Sequence, residues 1–96
     1  MSSLFTLNQA PSQLSLPSVL KMLNPGDSLL FIEDGVYCAV DKKLLALIPE
    51  GIKIFSLKED LTARGIVSKV EPAVETVSYR GFVELSIAHA KVVSWF

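Results

Sequence analysis

A single cysteine, a single histidine and a single tryptophan stand among 96 residues, and nine basic against ten acidic residues leave almost no net charge. Each scarcity excludes something. One cysteine cannot close a disulfide within the chain, so a reducing cytoplasm is the expected compartment. One histidine, with no second histidine and no positioned nucleophile, leaves little for acid–base or covalent catalysis. A formal charge of −1 with scattered basic residues argues against a nucleic-acid groove, which needs a surplus or cluster of cations. Lys42-Lys43 is the only adjacent basic pair and reads as a solvated loop. Apolar runs such as Leu29 to Ile32 fall far short of the ~20 residues of a membrane span, and no basic segment precedes an apolar one at the start, so neither a span nor a signal peptide is expected. No glycine-rich phosphate loop occurs, and no cofactor or metal is expected.

Apolar residues, by contrast, are abundant. They make up 50% of the chain, and the mean hydropathy is +0.44. A chain this short buries only about 60–65% of its unfolded surface when folded alone. Part of the apolar content is therefore expected to lie against another subunit. One domain spanning 1–96 is expected from the length.

Ser3 to Asn8 reads as a first strand, and Ser15 with Pro17 as the start of a helix through Val19 to Leu23. Asn24-Pro25-Gly26-Asp27 is a strong turn signal. Ser28 to Glu33 is a nearly continuous apolar strand of the kind covered on both faces. Val36 to Val40 starts a second helix with Asp34 as its cap, and Leu44 to Ile48 is apolar and ambiguous. Val74 to Val77 is a short strand, and Ser78 caps a helix that places Phe82, Leu85 and His89 on one face. Val92 to Phe96 closes the chain as a fifth strand.

The stretch from Ile52 to Gly65 carries the most information. Ile52, Ile54 and Phe55 make a strand launched from the turn at Pro49-Glu50-Gly51. Ser56 and Glu59 have the S-x-x-E spacing of a capping box, and Arg64-Gly65 is a helix stop. Strand-to-helix junctions are where α/β sheets place their ligands, yet this one carries no thiol, imidazole or phosphate loop. Alternating strands and short helices give an α/β fold with a mostly parallel sheet of four to five strands and helices on both faces.

These pieces resemble the TusB/DsrH family of sulfur-relay proteins. The likeness rests on Leu30-Phe31-Ile32-Glu33-Asp34-Gly35-Val36, on Ile52 through Gly65 with its Glu-Asp-Leu-x-Ala-Arg-Gly run, on Tyr79-Arg80-Gly81-Phe82-Val83-Glu84-Leu85 and on Trp95. It implies a three-layer sandwich of the DsrE/DsrF-like type. It further implies a non-catalytic subunit in a dimer of heterotrimers with TusC-like and TusD-like paralogues. Such a heterohexamer passes persulfide sulfur to a TusE-like acceptor, for 2-thiouridine at the wobble position of certain tRNAs. The relay cysteine is implied on the TusD-like subunit. DsrH-type members often carry a cysteine in the first-helix region. Ser15 to Asn24 has none, so the chain is similar to the TusB branch.

Cys38 is the only thiol, and any sulfur chemistry by this chain must use it. Its neighbours Tyr37, Ala39 and Val40 point to burial, and Asp34 and Asp41 disfavour a thiolate, so a packing role is expected. His89 suits a helix C-terminus. Glu33-Asp34 and Glu59-Asp60 could gather around Mg²⁺, but capping already occupies two of these four carboxylates. Trp95 and Phe96 are candidates for core closure or an interface anchor. Two alternatives stand beside the relay subunit: a persulfide carrier using Cys38 directly, and a stand-alone homo-oligomeric binding module.

Overall fold

Parallel strands need a crossover between them, and the chain supplies one between each strand and the next. In the computed structural model, which describes residues 2–95, strands β1 (Ser3–Leu7), β2 (Ser28–Phe31), β3 (Lys53–Leu57), β4 (Glu75–Val77) and β5 (Lys91–Trp95) form one sheet in the order β4-β3-β2-β1-β5. Every ladder is parallel. Helix α1 (Leu16–Met22) joins β1 to β2, and a 3-10 helix (Glu33–Val40) and the short α2 (Lys42–Leu45) join β2 to β3. Helix α3 (Lys58–Ala63) leads toward β4, and α4 (Tyr79–Ala88) joins β4 to β5.

The first three connections step one way across the sheet, and the last returns to the far side of β1. A right-handed crossover taken in the reverse direction puts its helix on the opposite face. Accordingly, Phe5, Leu7, Leu29 and Phe31 pack beneath α1, the 3-10 helix, α2 and α3. On the other face, α4 lays Phe82 and Leu85 over Leu4, Leu30 and Phe55. The result is the expected three-layer α/β fold. Leu4, Leu7, Leu30 and Phe31 are buried to within 1%, and each such side chain contributes roughly 1.5–3 kcal/mol.

Several local expectations are corrected. β3 runs on through Leu57, with Ser56 paired in register to Phe31 and Thr76. Ser56 is therefore a strand residue, and Leu57 occupies the cap position without a side-chain bond. No capping box forms. The Ser56 hydroxyl is fully buried with no hydrogen-bond partner among the described residues, while Glu59 accepts instead from the Tyr79 N–H. Ser56→Ala is thus expected to leave stability within about 0.5 kcal/mol of the parent or raise it, since an orphaned buried hydroxyl is removed. Urea unfolding checks this; a loss of ~1 kcal/mol, the value of a helix cap, would restore the capping role.

Asp34 is not a cap either, because the 3-10 helix begins at Glu33 with Ile32 preceding it and no capping side chain. Lys42-Lys43 lies on α2 rather than in a loop, with the Asp41 carboxylate accepting the Leu44 N–H as its cap. Both lysines remain exposed. The Ser78 cap does form, accepting from the Gly81 N–H. Gly65 stops α3 at φ +68, a conformation that suits glycine.

Candidate functional site

The carboxyl ends of β2 and β3 bring the two acidic pairs together. Glu33 leaves β2 with φ 51, a left-handed conformation uncommon for glutamate. Its N–H donates to Asp60 Oδ2 at 2.6 Å, which ties the start of the 3-10 helix to α3. Arg64 bridges the two elements from the other side. Its Nε and Nη2 donate to Asp34 Oδ1 at 3.1 and 2.9 Å, and Nη1 donates to the Asp60 carbonyl at 3.3 Å. Asp34 is well exposed, so the ion pair itself contributes little, in the range of about 0–1 kcal/mol. Its larger effect is orientation: one guanidinium fixes two carboxylate-bearing turns.

Three of the four carboxylates are thus occupied: Asp60 and Glu59 by backbone N–H groups and Asp34 by Arg64. Among the described residues, no group of three or more histidine, cysteine, aspartate or glutamate side chains is placed to hold a metal ion. The cluster joins elements of the fold, tying the start of the 3-10 helix to α3.

Cys38 lies farther along the 3-10 helix, in the main core, with no exposed surface. Its sulfur lies 3.8 Å from the Gln9 carbonyl. Burial first, and the charge of Asp41 second, push the thiol up to about 12. A persulfide carrier needs the reverse, an accessible thiolate.

His89 caps the C-terminus of α4 and pins it to the sheet. Its Nδ1 lies 2.7 Å from the Leu85 carbonyl, which can only accept, so Nδ1 carries a proton. Nε2 meets the buried Ser28 hydroxyl at 2.9 Å. The ring is a staple between helix and strand. Trp95 is partly buried against the main core from edge strand β5. Phe96, the other aromatic candidate, lies outside the described residues.

Against this geometry, the model of the family described as DsrH like protein matches residues 9–92. The chain belongs to the TusB/DsrH family. Family relatives include Protein TusB of Enterobacter sp. (strain 638), 37% identical over 94 residues that cover 96% of this chain and 99% of that protein. Protein TusB of Cronobacter sakazakii is 32% identical over the same shares. Two solved structures share the fold. The crystal structure of the ychN protein from E. coli has a TM-score of 0.79 at 16% identity, covering 99% of this chain and 100% of that one. The solution structure of protein Tm0979 from Thermotoga maritima has a TM-score of 0.70 at 18% identity, covering 90% and 92%.

Sequence reasoning missed three residues of this TusB/DsrH chain. Gly35 packs against the end of β1, so closely that a Cβ would lie 2.0 Å from the Leu7 carbonyl oxygen. Asp27, buried to 3%, accepts the Ser3 N–H at 2.8 Å and the Asn24 N–H at 2.9 Å, fixing where β1 begins relative to β2. Arg64 reads as a dipole partner at a helix end and is also the bridge described above. Asp27 left a sequence signal as the last residue of an Asn-Pro-Gly-Asp turn and Arg64 as part of a helix stop, but neither signal disclosed the longer-range contact.

Proposed function

We propose that this chain is a non-catalytic subunit of a cytoplasmic sulfur-relay complex, working with TusC-like and TusD-like paralogues and delivering sulfur through a TusE-like acceptor toward tRNA wobble-uridine 2-thiolation. Family membership supports the pathway. The state of Cys38 carries the division of labour. In persulfide transfer, an acceptor thiolate attacks the outer sulfur of the donor persulfide. A new S–S bond forms, the old one breaks, and the donor cysteine leaves as thiolate. Every step needs sulfur atoms that can meet, and the one thiol here is sealed in the core and held protonated. The thiols of the relay therefore belong to partners, and this chain positions them. Its exposed apolar side chains, together with the candidates Trp95 and Phe96, are where those partners would bind.

The test is complementation of a strain lacking this chain, read by mass spectrometry of tRNA nucleosides. Deletion is expected to abolish most wobble 2-thiouridine, and Cys38→Ser to restore it within about twofold of wild type, a change too small to reflect loss of a covalent intermediate. A deletion that leaves 2-thiouridine intact overturns the relay assignment. Failure of a well-folded Cys38→Ser chain to restore it would return the covalent role to Cys38.

A further inference from the structure

Eight residues is a long run for a 3-10 helix, whose poorer hydrogen bonds usually limit it to about three or four, yet Glu33–Val40 is one. The segment buries Gly35, Val36, Cys38 and Ala39, none larger than valine. Little apolar area therefore holds it down, compared with the leucines and phenylalanines of the strands beneath. It also begins under strain, because Glu33 holds φ 51, and it is followed by Asp41 in extended backbone. A small apolar anchorage with a strained end is what lets a segment open before the whole fold does.

Polar ties from outside offset this weakness. Asp60 Oδ2 accepts the Glu33 N–H, the Arg64 guanidinium holds Asp34, and the Glu71 N–H donates to the Ala39 carbonyl at 3.0 Å. All three ties come from the connection between β3 and β4. They are unequal. Asp34 is 65% exposed, so water screens its pairing with Arg64. Asp60 is 27% exposed and sets a carboxylate oxygen 2.6 Å from a backbone donor, at the strained residue itself.

We infer that Glu33–Val40 is a strap that opens as a local unit while the sheet stays folded, turning at Glu33 and Asp41, and that Asp60 is the latch holding it shut. Loss of the Asp60 tie frees Glu33 to leave the left-handed region and cuts the contact nearest the hinge. The strap then lifts Val36, Cys38 and Ala39 off the core, so α3 controls whether the one thiol of the sequence can be reached. The strap is closed nearly all the time, and the relay reading does not depend on it.

Labelling of Cys38 by a small aromatic disulfide (DTNB), at urea concentrations below the unfolding transition, tests this. A local opening exposes little surface. The wild-type rate is therefore expected to be almost independent of urea at first, joining the slope of global unfolding only near the transition. Asp60→Ala is expected to label about tenfold faster than wild type. Asp60→Asn is expected to label about threefold faster, since asparagine still offers the Glu33 N–H an acceptor but no charge. Glu59→Ala removes the neighbouring first-turn carboxylate of α3 and cuts no tie to the strap, so its rate is expected within about twofold of wild type. A wild-type rate that climbs with the full global slope from zero urea, or an Asp60→Ala rate no faster than that of Glu59→Ala, overturns the strap. Neither result touches the 2-thiouridine measurement.

Discussion

Gly35→Ala is expected to lower the melting temperature by more than ~10 °C, a loss of about 2–3 kcal/mol in a chain of this length. The reason is a backbone collision. An added Cβ would sit 2.0 Å from the Leu7 carbonyl oxygen and 2.8 Å from its carbon. Neither atom can yield easily, because Leu7 ends a strand paired on both sides and its carbonyl accepts the Ile32 N–H at 3.0 Å. The 3-10 helix has to move instead, and it carries Val36, Cys38 and Ala39 into the core. Gly65→Ala is the control. Gly65 has φ +68, and an added Cβ there would meet nothing within 4 Å, so only the left-handed strain applies, roughly 1 kcal/mol. Differential scanning calorimetry of both variants separates the two mechanisms. Equal, small losses would mean that the close approach at Leu7 is relieved without strain.

The contrast between these glycines shows what the sequence could disclose. Gly65 follows a helix-ending arginine, and its role is local, so spacing alone revealed it. Gly35 has an ordinary backbone conformation, and its constraint comes from a strand 28 positions earlier. The alternation of strands and helices was legible for the same reason as Gly65, since period and turn residues act over a few positions. Ser78 and Ser56 make the point sharply. Both precede helices, and only Ser78 caps one. Ser56 was claimed by cross-strand pairing, which fixes its backbone as strand before any helix can use its hydroxyl. Its supposed partner Glu59 was drawn to the Tyr79 N–H, twenty positions on. The acidic junction was visible as residue types, but not as a joint, because Arg64 reaches Asp34 across thirty positions. Glu33 gave no warning at all, since glutamate does not advertise a left-handed conformation.

Cys38 gives the largest kinetic effect. A thiol at about 12 rather than 9.0 carries roughly a thousandfold less thiolate at neutral pH, and its burial obstructs any reagent further. Alkylation by iodoacetamide near pH 7.5 is therefore expected to be at least about a thousandfold slower in the folded protein than in denaturant. The same shift ties Cys38 to stability. The folded state holds the thiol proton more tightly than the unfolded chain does, so rising pH favours the unfolded chain, which releases that proton first. The contribution is fully present below about pH 9.0 and is lost as pH rises from there through 12. Wild type should accordingly lose stability over that interval faster than Cys38→Ala, whichever carboxylates and lysines titrate in common. Parallel melting curves with pH, together with fast labelling of the native thiol, would contradict a sealed core position. They would also reopen the route by which sulfur could pass through this chain, because a thiol that reacts in the folded state is one that a persulfide donor can reach.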